Sequence, residues 1–64
     1  MFPIRKGGGM IRVRFAAVTD HETGTRYGSR AASGETVDEA WENLCSELGI
    51  SRETATYDDW KGLQ

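Results

Sequence analysis

The sequence predicts a small α+β domain of order β-β-α-β, and three observations carry that prediction. An alternating apolar and polar segment begins after residue 10, a glycine-bearing turn reverses it, and a capped stretch with helical periodicity follows. The chain has 64 residues, which allows one domain at most. A chain this short buries only about 60% of its unfolded surface, so its stability margin is thin.

The first nine residues, Met1-Phe-Pro-Ile-Arg-Lys-Gly-Gly-Gly, read apart from the rest. Three consecutive glycines join a strand or helix at high entropic cost, and the GxxxxGK[ST] spacing of a phosphate-binding loop is missing. Codons for Lys6-Gly-Gly-Gly9 can hold a purine-rich ribosome-binding stretch just ahead of the ATG for Met10. Residues 1–9 are therefore expected to be a flexible, non-native leader, with the folded domain spanning 10–64. N-terminal sequencing of natively expressed protein tests this; finding Met1 or Phe2 at the terminus refutes it.

Ile11-Arg-Val-Arg-Phe-Ala-Ala-Val-Thr19 has the period-2 pattern of a half-buried strand. Ile11, Val13, Phe15 and Ala17 fall on one face, and Arg12, Arg14 and Ala16 on the other. Asp20-His-Glu-Thr-Gly24 is a turn in which glycine supplies a positive φ. Residues 25–33 then form the returning strand, with Tyr27 and Ala31 expected inward and Arg26 and Arg30 outward beside Arg12 and Arg14. Next comes a capping box, Thr36-Val-Asp-Glu39. Val37, Ala40, Trp41, Leu44 and Leu48 line one face of a helix over 37–48, and Asp38, Glu39, Glu42 and Asn43 lie opposite. Gly49 is placed to close that helix in the left-handed conformation, with Ile50 folding back. Ser51 to Gln64 is mixed: Ser51 is able to cap a helical turn, yet Thr54-Ala-Thr-Tyr57 has strand character. A hairpin with one helix gains from a further strand, so a short third strand is expected there, with Trp60 and Leu63 closing the edge of the core.

The formal net charge of −2 hides a polarised chain. Residues 1–35 carry six basic and three acidic side chains; residues 36–64 carry two basic and seven acidic. Such asymmetry speaks to partners and steering. Two surfaces follow. Asp38, Glu39 and Glu42 on the helix, with Asp58, Asp59 and Trp60, make an acidic partner-binding surface able to imitate nucleic-acid phosphates, with tryptophan as a hot-spot anchor. Arg12, Arg14, Arg26 and Arg30 make an alternative, nucleic-acid-binding sheet face. The plain alternative for each is a solvated surface, with arginine stems covering a thin sheet.

Catalysis has little to stand on. His21 has no nucleophile beside it, Cys45 flanks the buried stripe of the helix where thiols are inert, and Asp58 and Asp59 alternate across a strand. No enzyme, cofactor or metal is expected. One cysteine excludes an intramolecular disulfide and fits a reducing, cytoplasmic setting. No apolar run nears the roughly 20 residues of a membrane helix. A core this small and an exposed edge strand invite a homodimer.

In size, α/β architecture and charge polarity, the chain resembles the small anti-CRISPR inhibitors encoded by phages and mobile elements. That resemblance implies a bacterial-host cytoplasmic, non-catalytic inhibitor that is a DNA mimic, its acidic surface blocking DNA access to a Cascade-type CRISPR effector. A second, local resemblance rests on Gly34-Glu-Thr-Val-Asp-Glu-Ala40, which is similar to the helix start in the N-terminal region of HicB-type antitoxins. It implies a toxin as partner.

Overall fold

The alternation after Met10 produces a ten-residue strand, β1 (Ile11–Asp20), which a tight turn joins to an equally long antiparallel partner, β2 (Thr25–Gly34). The computed structural model describes residues 10–63; the expected leader over 1–9 and Gln64 lie outside the described residues. A helix, α1 (Val37–Leu48), follows, and then two short strands, β3 (Ala55–Thr56) and β4 (Asp59–Leu63). All pairing is antiparallel. β1 is central, with β2 on one side and β3 and β4 sharing the other. The α+β class is as the patterning predicts, and the helix has the predicted bounds. The third strand comes in two pieces.

The hairpin departs from simple alternation in one way that decides which side chains share a face. Between the Phe15↔Arg30 and Val18↔Gly28 pairs, β1 carries Ala16 and Ala17 against Ser29 alone; between Val18 and Thr19, β2 carries Tyr27 as its own extra residue. Each is a β-bulge. Ala17 adopts φ 54 and Gly28 φ 73, the left-handed backbone such bulges use. The two offset each other, so Ile11↔Gly34 and Asp20↔Thr25 keep one register. Between and beyond them, however, the in–out phase is reversed. Ala17, expected inward, is exposed, while Val18 and Asp20 are buried. Ile11, also expected inward, is exposed at the strand's start. Ala31, expected inward, stands opposite Arg14 on the far face, and Ala32 packs against the core in its place.

The helix starts as a capped helix should. Thr36 is extended, its Oγ1 accepting from the Glu39 N–H at 3.1 Å, and Glu39 reaches back to accept from the Glu35 N–H at 2.7 Å. It ends at Gly49, whose φ of 73 lets the Ile50 N–H reach the Cys45 carbonyl at 2.9 Å and the Gly49 N–H reach Ser46 at 3.2 Å, a Schellman closure. The first turn of α1 sits directly on the end of β2. A Cβ on Gly34 would stand 2.5 Å from the Ala40 nitrogen, so only glycine permits this approach, and Ala40 is wholly buried against it. The two ends of the Gly34–Ala40 segment are therefore a packing contact.

Val13, Phe15, Val18, Ala40, Trp41, Leu44, Cys45 and Ala55 form the core. Its centre is an aromatic triad: Phe15 lies 5.2 Å from Trp41 and 4.7 Å from Tyr57, and Trp41 and Tyr57 meet edge-on at 4.7 Å. Such pairs contribute about 0.5–1.5 kcal/mol each beyond burial. Tyr57 lies at the break between β3 and β4, so the interruption seats an aromatic ring in the core. Trp60, expected to close the core's edge, stands opposite Phe15 in register but is 48% exposed. The physical reason is that α1 packs over β2 and β1, leaving β4 beyond its reach.

Asp20 is the one buried charged residue among those described. Its carboxylate accepts from the Glu22 N–H, the Thr23 hydroxyl and the Thr54 hydroxyl at 3.1–3.3 Å. The His21 N–H bonds to the Thr54 carbonyl at 2.8 Å. Together these tie the hairpin turn to the segment that leads into β3.

Candidate functional site

One helix covers one side of the sheet, and among the described residues nothing covers the opposite, open side. Val13 and Phe15 point at the helix, so Arg12 and Arg14, their alternating neighbours, point away from it. Register carries that face across the sheet: Arg14 is directly opposite Lys61, Arg12 is opposite Leu63 and Ser33, and Ala16 is opposite Asp59. Arg26, opposite Thr19, lies on the same side toward the turn. The placement of Arg14 against Lys61 sets like charges side by side, which costs a sheet stability. Among the described residues none of these cations is in an ion pair; Arg52 supplies both ion pairs found there.

Arg30 is a correction. The expectation placed it with the other arginines, but the register sets it opposite Phe15 on the other face, and the extra residue Tyr27 breaks the alternation that would keep it with Arg26. There its guanidinium lies 5.9 Å from the centre of the Tyr27 ring, and its Nε donates to the Tyr27 carbonyl at 3.2 Å. Tyr27 itself packs against the core, as alternation predicted.

A depression of about 220 Å³ lies on the open side, walled by Arg14, Ala16, Asp59, Trp60 and Lys61. Its open-side walls are the small Ala16, the arginine and lysine stems and Asp59, while Trp60 borders it from β4 with a register, opposite Phe15, that places its side chain on the helix side. Asp59 is its acid, with Oδ1 accepting from the Trp60 N–H at 2.8 Å. Such a site, shallow and with two cationic heads at its margin, suits a negatively charged group.

The acidic constellation is arranged differently. Arg52 grips two of its helix members, donating to Asp38 at 2.9 Å and Glu42 at 3.3 Å, and Glu39 is engaged in the helix cap. Asp59 belongs to the open face, on the side of the sheet away from α1; Asp58 is exposed before it, its N–H bonded to the Ala16 carbonyl. The structure therefore splits Asp38, Glu39 and Glu42 from Asp59.

The groups considered for catalysis are dispersed. The Nε2 of His21 lies 2.7 Å from the Thr56 hydroxyl at the exposed turn end of the sheet. Cys45 is buried in the core, and burial pushes its thiol pKa up from the ordinary 9.0, which keeps it protonated and unreactive. Among the described residues no group of three or more His, Cys, Asp or Glu is placed to hold a metal ion, and no helix is long and apolar enough to cross a membrane.

Lys61 was not singled out by sequence reasoning as part of the basic face. Its signal was the alternation Asp59-Trp-Lys61 after a break, too short to register on either strand template. No protein-family model matches the chain, and no match to it was found among curated proteins or solved structures.

Proposed function

We propose that the chain is a non-catalytic binding domain whose open sheet face takes a phosphate-bearing partner, nucleic acid being the class. The observation that carries this reading is the gathering of Arg12, Arg14 and Lys61 on the uncovered side of the sheet, unpaired among the described residues although Arg14 and Lys61 repel each other. An anionic partner relieves that repulsion. The chain's net negative charge does not forbid it. A helix is about 10 Å thick with its side chains, so carboxylates on its outer side lie beyond the roughly 8 Å Debye length of physiological salt.

The competing reading, an anti-CRISPR-type inhibitor whose acidic helix imitates DNA, has the exposed Asp38, Glu39 and Glu42 in its favour. It would have to break the Arg52 pairs to present two of them as free charges. Titration of labelled nucleic acid at increasing ionic strength separates the two. The open-face reading expects affinity to fall steeply with salt and to be lost in the double variant Arg12→Glu, Arg14→Glu. Absence of binding at low salt, with a protein partner retained from nuclease-treated lysate and lost on charge reversal of Glu39 and Glu42, would instead support the inhibitor.

A further inference from the structure

We infer that β4 is the seam of a two-fold homodimer, pairing antiparallel with β4 of a second copy and centred on Trp60, so that Asp59 of each chain faces the partner's Lys61. This goes beyond the open-face reading and does not rest on it. Among the described residues β4 pairs with β1 alone, which leaves its outer row of backbone N–H and C=O groups unpaired. Edge strands are ordinarily blunted by like charges, proline or a bulge. Here the edge instead presents an exposed tryptophan between one acid and one base. Trp60 stands opposite Phe15 on the helix side and is 48% exposed, because α1 packs over β2 and β1. A Cβ on Gly62, the next residue on that side, would meet nothing within 4 Å, so there is room beside the indole for a second ring.

Symmetry restricts the register. The two-fold axis of an antiparallel pair runs perpendicular to the sheet, so facing residues share a side and one residue must face its own copy. Centring on Asp59 or on Lys61 sets like charges together, which is unfavourable. Centring on Gly62 faces Lys61 with the partner's Leu63 and leaves both charges unmatched. Centring on Trp60 matches acid with base on both sides of the axis. The helix side then reads Phe15, Trp60, the partner's Trp60 and the partner's Phe15, an aromatic row that continues the core across the seam. On the open side Lys61, whose neighbour within the chain is Arg14, acquires an acid in the next strand. The helices stand over the outer strands, clear of the seam, and Arg12 and Arg14 of both copies emerge on one side as a doubled basic face.

Sedimentation equilibrium of the full chain, from micromolar to millimolar concentration, tests this. The expected result is a reversible monomer–dimer equilibrium, with tryptophan emission shifting to the blue as the dimer forms. Asp59→Lys and Lys61→Asp, each alone, make both seam pairs repulsive and weaken association by roughly tenfold or more. Mixed in equal amounts, the two variants associate with each other, because every facing pair is again opposite in sign. Their association also shows that each variant is folded. The double variant Asp59→Lys, Lys61→Asp recovers self-association, and Trp60→Ala weakens it. Dilute samples are monomeric and melt as the single chain, in which Lys61 faces only Arg14. A monomer at every concentration, or a dimer whose strength neither reversal changes, overturns the β4 seam. A mixture that stays monomeric overturns the register centred on Trp60.

Discussion

On the helix side of β1, Val13, Phe15 and Val18 are wholly buried; one residue away, on the other side, Arg12 and Arg14 are exposed and unpaired among the described residues. The same ten-residue strand thus serves two surfaces with opposite demands. The covered side holds nearly everything that stabilises the chain: the aromatic triad, the helix seat on Gly34 and the buried thiol. The open side holds side chains that contribute little to folding, and in the case of Arg14 and Lys61 oppose it. Stability and the proposed binding are therefore carried by separate faces, although a domain this small can spare little from its core.

Substitutions on either side break or sharpen that separation. The largest effect is expected at Phe15. Phe15→Ala removes the ring shared by Trp41 and Tyr57 and costs about 3–5 kcal/mol, comparable with the whole stability of a domain this small. Loss of a cooperative thermal transition by circular dichroism is the expected outcome; a normal melt would show that the triad is not the centre of the core. Gly34→Ala is next. Its Cβ meets backbone atoms of Glu39 and Ala40, which cannot swing aside, and overpacking of this kind costs about 1–3 kcal/mol. Chemical denaturation should show a lowered midpoint with the slope unchanged.

The buried thiol gives a smaller effect with a defined sign. Burial raises the Cys45 pKa in the fold above its ordinary value of 9.0, the value the unfolded chain keeps. The folded state holds the proton more tightly, so stability is full below that value and declines as pH rises through the folded value. Denaturation midpoints between pH 8 and 10 should fall in the parent and fall less in Cys45→Ala. On the open side the sign inverts. Lys61→Glu places opposite charges at the Arg14 pair, and its melt should rise slightly, by about 0.2–1 kcal/mol, while anion binding weakens. A fall in both would mean that Lys61 supports the fold and that the two sides are not independent.

How much of this was legible in the sequence follows from where the information is local. The helix was readable to its bounds because each determinant lies within a turn of its effect: the Thr36 cap, the apolar stripe and the left-handed Gly49. The hairpin was readable as a hairpin. Its phase was not, because a bulge is set by pairing across the strands, and neither Ala17 nor Gly28 announces one. That single slip moved Arg30 to the opposite face and Ala31 with it. The last strand was half legible. Tyr57 has strand character, yet its ring enters the core at a break, and Trp60 reads as a core residue by composition although the helix lies over β1 and β2. Asp20 was recognisable as a turn residue. Its burial depends on Thr54, which is distant in sequence.

The most direct test of the open-face account is residue-resolved. Backbone amide shifts of the labelled chain, followed by NMR during titration with single-stranded oligo(dT), should move at Arg12, Arg14, Ala16, Asp59, Trp60 and Lys61, with the helix amides from Asp38 to Glu42 unmoved. Shifts confined to the helix, or no shifts at low salt, would contradict it.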